Sequence, residues 1–216
     1  MKSFRLAGVG AACFCLMFGS AAARASEVTS ISNGTVYTIP SVNQQGAGPE
    51  TVATGITWTS TNSGAVFGYS DTYGFNDNGI WNGLSMAGVN SSSDSMTFTF
   101  SDSVSAAGAF INYSPSWGNP TIAVYDTNGN LIESEILDFA VADGPDAINE
   151  GYFYGFQEST ADIGSFTITG AYAGVSEITL SGSVAATPEP GALVLLGTGL
   201  LGMGGVFSRR RSRSIA

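Results

Sequence analysis

From Ser26 to Thr187 the chain contains no lysine, arginine, histidine or cysteine. A domain made from that span has no ion pair or disulfide to hold it. Burial of apolar side chains and backbone hydrogen bonding must do so instead. All seven basic residues lie outside it: Lys2, Arg5 and Arg24 before, and Arg209, Arg210, Arg211 and Arg213 after. Of the seventeen acidic residues, all but Glu189 lie inside. The formal net charge of −10 therefore averages an acidic middle and two basic ends.

The same absence removes much chemistry from the middle. Ser-His-Asp and Cys-His sites need an imidazole to take the nucleophile's proton. Schiff-base lysines and arginine clamps on phosphate need the missing cations, and Cys/His zinc sites lack their ligands. A nucleic-acid groove needs positive charge, so no nucleic-acid partner is expected. Carboxylate chemistry, hard-cation binding and aromatic stacking remain.

No helical period runs through the span. Short alternating runs bounded by Gly, Asn, Asp, Ser and Pro take its place. Met96, Phe98 and Phe100 alternate with Ser95, Thr97 and Thr99, and Phe166 and Ile168 with Thr167 and Thr169. Runs at 122–125 and 131–137 flank Asp126-Thr127-Asn128-Gly129-Asn130, which reads as a hairpin with an Asn-Gly turn. Further strands are expected at 28–32, 35–39, 52–59, 106–113, 152–156 and 177–183. Turn signals at this spacing predict an all-β fold, an antiparallel β-sandwich or jelly roll over residues 26–187. A chain of this length buries about 70% of its unfolded surface and needs no disulfide staple.

The ends read as addresses. Lys2 and Arg5 precede an apolar run from Leu6 to Phe18, and Ala23-Arg24-Ala25 places small residues where a signal peptidase accepts them. Residues 1–25 are thus expected to be a signal peptide, cleaved between Ala25 and Ser26. Lipidation at Cys13 or Cys15 is the rival, with too short an apolar run before it. At the other end an apolar run from Gly191 to Phe207 is followed by the arginine cluster. It predicts a short transmembrane helix of about 25 Å, with its arginines on the cytoplasmic side.

Pro188-Glu189-Pro190, the Gly/Leu-rich run and the terminal Arg209, Arg210, Arg211 and Arg213 together resemble the PEP-CTERM sorting signal of Gram-negative bacteria. The resemblance covers 188–216. It departs from the usual pattern in having Thr187 where valine is common. It implies recognition of the Pro-Glu-Pro triplet by an exosortase, transient insertion in the inner membrane, and delivery to the cell surface or extracellular matrix. The segment 95–180, with "SMTFTFSDSVSAAGAFINY", "TIAVYDTNGNLI", "YFYGF" and "FTITG", also resembles ectodomains found with this signal. Those look like carbohydrate-binding-module jelly rolls, some with a structural calcium. Here Gly174-Val175-Ser176-Glu177-Ile178 lacks the closing-strand aspartate that would ligate it.

Three constellations bear on function. Asp126, Asn128 and Asn130 have the oxygen spacing of a calcium loop, but Leu131 and Leu137 stand where an EF-hand needs Gly and Glu. The hairpin explains them without a metal. Asp71 and Asp77, with Asn76 and Asn78, crowd one loop, and Asp138, Asp143, Asp146 and Glu150 another. Either is a candidate structural calcium site or a solvated acidic loop. Trp117, Tyr113 and Trp81 lie in Gly/Asn/Pro-rich stretches, where exposed rings would stack on sugars or fold back as plugs. Ice binding would want a flat regular array of threonines, and Thr57, Thr59 and Thr61 alone do not make one.

The function expected is that of a secreted, non-enzymatic surface or matrix protein requiring no cofactor. The alternatives are a glycan-binding module on extracellular polysaccharide and a carboxylate-based glycoside hydrolase. The last needs two carboxylates about 5–10 Å apart across a cleft, and sixteen acids do not single out a pair.

Overall fold

The structure, a computed structural model, describes residues 25–139 and 144–182. Ala23, Asp143, the Pro-Glu-Pro triplet, the apolar run 191–207 and the arginine cluster lie outside the described residues. Within them the chain forms strands and two single 3₁₀ turns, Asn76–Asn78 and Pro115–Trp117, with no α-helix.

The strands in order begin with β1 (Ser26–Val28), β2 (Thr35–Thr38), β3 (Gln44–Gln45), β4 (Glu50–Ala53) and β5 (Ile56–Ser60). There follow β6 (Val66–Tyr69), β7 (Tyr73–Gly74), β8 (Ile80–Trp81), β9 (Met86–Gly88), β10 (Ser95–Val104) and β11 (Ala106–Asn112). The last five are β12 (Thr121–Asp126), β13 (Leu131–Ile136), β14 (Tyr152–Gln157), β15 (Ile163–Thr169) and β16 (Gly174–Ser181). One sheet has the order β13-β12-β15-β10-β5-β4. The other runs β1-β14-β11-β16-β9-β6-β3, with β2 also paired to β16. All these ladders are antiparallel, so the chain is the antiparallel β-sandwich its alternation predicts.

Register explains the core. Phe98 stands opposite both Trp58 and Phe166, and Phe166 opposite Val124, so one apolar row crosses four strands. Met96, Ile168 and Ile122 form the next row. The second sheet closes over them with Ala107, Ala109, Ile111, Phe156, Val175 and Ile178, all fully buried. A second, smaller cluster of Val66, Phe75, Trp81 and Met86 sits under β6–β9. Because side chains alternate, the opposite face of the six-stranded sheet carries the residues in between. Thr57, Thr99 and Ser165 make one row of hydroxyls and Thr59, Thr97 and Thr167 another. Thr97 Oγ1 and Thr167 Oγ1 are 2.9 Å apart. Thr57 and Thr59 thus do belong to a threonine array, assembled by strand pairing from distant parts of the chain.

Three expectations are corrected. The run at 52–59 is not one strand but the hairpin β4–β5, turned at Gly55 with φ +81°. The N-terminal strand is β1, pairing Ser26–Val28 with β14 and ending where a strand at 28–32 was expected to begin. The 126–130 turn contains Asn-Gly but not the two-residue turn that dipeptide suggests. Asn128 does not take positive φ and only Gly129 does, at +83°. Gly129 N–H donates to Asp126 C=O at 3.0 Å, and the ladder shifts register between Val124 and Tyr125. This is a longer turn closed by a left-handed glycine and a bulge.

Candidate functional site

The aromatic candidates separate cleanly. Trp117 closes the 3₁₀ turn between β11 and β12 and is 58% exposed. Its indole meets the ring of Tyr172 edge on, centroids 5.5 Å apart. Tyr172 is held there by a left-handed turn: Gly170, Ala171 and Tyr172 have φ of +88°, +51° and +53°. A run of this kind is costly for residues with a Cβ and persists only where the surroundings fix it. The fixing bonds are visible. The N–H groups of Gly170, Ala171 and Tyr172 donate to the carbonyls of Asp94, Ser92 and Ser91 at 2.8, 3.2 and 2.9 Å. Ser114 N–H donates to Ala171 C=O at 2.8 Å, tying the Trp117 turn to the same loop. The result is a pair of aromatic rings at the surface, on a backbone anchored to the 91–94 loop.

Tyr113 and Trp81, expected with Trp117, are core residues. Tyr113 donates its hydroxyl to Phe139 C=O at 2.6 Å and packs edge on against that ring. Burial, the largest influence on it, pushes that hydroxyl's pKa up. Trp81 is fully buried between Phe75 and Phe110. Neither presents a face to a ligand. Both follow strands or lie within one, and strand pairing turns their rings inward; the composition of the surrounding loops hid this.

Of the acidic candidates, Asp143 lies outside the described residues. Asp71, Asp77, Asp138 and Asp146 are exposed. Asn76 spends its side-chain amide on Ser114 Oγ, and Asn78 is buried with its carbonyl accepting from Asn112 Nδ2 at 3.2 Å. Among the described residues no three acidic side chains are placed to hold one metal ion. In the 126–130 turn, Asp126 Oδ1 accepts from Asn128 N and Asn130 N and its Oδ2 from Asn130 Nδ2, each at 2.8 Å. These bonds, the Asn130 amide first, hold its carboxyl below the usual carboxylate range. They are the bonds of a turn.

Glu158, just after β14, was not singled out by any motif. It is 7% exposed, the one buried acid among the described residues. Its Oε1 has no hydrogen-bond partner. Burial, then the neighbouring charges of Asp162 and Glu133, raise its carboxyl above the usual range. It lines a groove of about 310 Å³ with Ser103, Asp126, Thr127, Asn128 and Asp162. β12 and β15 each run from one end of the sandwich to the other. Asp126 and Ile163 close them at the groove, and Thr121 and Thr169 at the Trp117 loops. The two surfaces therefore occupy opposite ends of the same sheet.

Comparison with protein families matches the PEP-CTERM protein-sorting motif over residues 186–211. The match starts two residues before the Pro-Glu-Pro triplet and takes in Arg209, Arg210 and Arg211. This motif implies export and a cell-envelope or surface location in bacteria. No curated protein matches the chain. Among solved structures, the chain is similar to a mutant of a family 29 carbohydrate-binding module at 11% identity and TM-score 0.30. The overlap covers 62% of this chain and 98% of that one.

Proposed function

Because residues 186–211 carry a PEP-CTERM protein-sorting motif, we propose that the chain is an exosortase substrate delivered to the cell surface or extracellular matrix, where its β-sandwich acts without catalysis. The motif is the observation that carries this reading. The path begins with signal peptidase cleavage after Ala25 and continues with inner-membrane insertion of the 191–207 segment. The triplet Pro188-Glu189-Pro190 is the recognition element. Fractionation of cells expressing the chain with Glu189→Ala tests it. Retention of the variant in the inner membrane is the expected result, and unaltered delivery to the surface overturns the reading.

A second reading, as a glycan-binding module for extracellular polysaccharide, is favoured by Trp117. Its indole is more than half exposed and is paired with a second ring, Tyr172, whereas Trp58 and Trp81, the other described tryptophans, are fully buried. The flat face of the ring suits a sugar ring. A strongly anionic domain without a single cation favours a neutral glycan over a uronate-rich one. Glycan-array binding that Trp117→Ala abolishes supports this reading; binding unchanged by the variant removes it. A glycoside hydrolase is less well served. Of the carboxylates on the groove, Asp126 already spends both oxygens on its own turn.

A further inference from the structure

The groove at the end opposite Trp117 sets a physical problem that the fold does not solve for itself. Glu158 is more than nine-tenths buried, and its Oε1 has no donor or acceptor within reach. If the carboxyl is ionised, that oxygen needs a donor or a cation. If it is protonated on Oε2, Oε1 remains a buried carbonyl oxygen that accepts from no donor. A buried acid is rarely left unpaired, and here the sequence from Ser26 to Thr187 contains no arginine or lysine to pair with it. The surroundings are acidic as well. Asp162 and Glu133 bear on Glu158 electrostatically, and Asp126 stands on the same groove. Thr160 Oγ1 donates to Asp162 Oδ2, leaving Asp162 with one carboxylate oxygen without a bond to the protein.

We propose that this groove binds a hard divalent cation of the calcium class, with Glu158 and Asp162 as its charged ligands and oxygens of Ser103, Thr127 and Asn128 completing the shell. Calcium suits the arrangement better than magnesium. It accepts neutral hydroxyl, amide and carbonyl oxygens in irregular geometry, whereas magnesium demands a regular octahedron and keeps its waters. Two charged ligands rather than three or four make a weak site, with a dissociation constant of about 10⁻⁴–10⁻³ M, as in extracellular modules. Such a site fills outside the cell and stays empty in the cytoplasm, so the cation would bridge the β12–β13 turn to the β14–β15 connection only after export. The site is distinct from the 71–78 and 138–150 loops, and it stands or falls independently of glycan binding at the other end.

The test is calcium titration of the full-length chain, by calorimetry and by thermal melting in millimolar calcium against chelator. The wild type is expected to bind about one calcium and to melt higher with it. Glu158→Gln is expected to lose that rise while melting, in chelator, no lower than the wild type. Asp162→Asn, exposed and tolerant of change, is expected to weaken calcium binding by about tenfold or more, and it carries the test if Glu158→Gln does not fold. No calcium-induced rise in the wild type overturns the proposal. So does an equal rise in wild type and Asp162→Asn, which places the ion elsewhere.

Discussion

Trp117 and Tyr172 meet edge on with ring centroids 5.5 Å apart, one from the β11–β12 connection and the other from the turn between β15 and β16. Neither ring is fixed by its own strand. Each is carried by a loop that hydrogen-bonds to the other through Ser114 and Ala171. That arrangement makes the aromatic surface rigid, so a ligand seated on it loses little to loop ordering.

Trp117→Ala removes a side chain that is 58% exposed, so global stability should change by no more than about 0.5 kcal/mol. Polysaccharide retention should fall by about 2 kcal/mol or more if the indole is the anchor of the contact. Denaturant melts and affinity electrophoresis in the presence of polysaccharide read the two quantities separately.

Core substitutions should behave in the reverse way. Phe98 lies between Trp58 and Phe166 in the central apolar row and is fully buried. Phe98→Ala should cost about 3–5 kcal/mol in urea unfolding. Tyr113→Phe should cost about 1 kcal/mol, because Phe139 C=O loses its donor. It should leave any glycan affinity unchanged, since Tyr113 is buried far from solvent.

The 126–130 turn offers a cleaner experiment on backbone strain. Gly129 has φ +83° with open space where a Cβ would stand. Gly129→Ala should therefore cost only the left-handed conformation, about 1–2 kcal/mol, with no steric clash to add. Urea melts of this variant would give the value directly.

The pH dependence follows from two carboxyls shifted in opposite directions. Glu158 holds its proton more tightly folded than unfolded. Its favourable contribution is complete below the ordinary glutamate pKa of about 4.3 and is lost as pH rises through the elevated value. Asp126 is shifted the other way. Its contribution is complete above about 3.9 and is lost as pH falls through the depressed value. Melting temperatures taken in chelator from pH 3 to 8 should show Glu158→Gln flattening the loss toward neutral pH. Asp126→Asn should flatten the loss on the acid side.

Much of the fold was legible because it is local. Alternation at Met96, Phe98 and Phe100 named an inward face, and strand pairing confirmed it against Phe166 and Ile168. The hairpin around Asp126 was placed correctly, although the sign of φ at Asn128, which no dipeptide reveals, decided its type. What sequence could not show depends on contacts distant along the chain. The threonine rows join Thr59 to Thr97 and Thr97 to Thr167 only through register. Trp81 and Tyr113 share their loop-like composition with Trp117, yet packing against Phe110 and Phe139 puts them in the interior. Glu158 belonged to no motif. The one available signal was that a domain without cations has no partner for any acid it buries.

Processing at both ends leaves a sandwich without a basic side chain. Intact-mass spectrometry of the protein recovered from the cell surface or medium tests this directly. The expected species begins at Ser26 and has lost the residues following the Pro188-Glu189-Pro190 triplet, including the arginine cluster. A surface-exposed chain that retains Arg209, Arg210, Arg211 and Arg213 would contradict it.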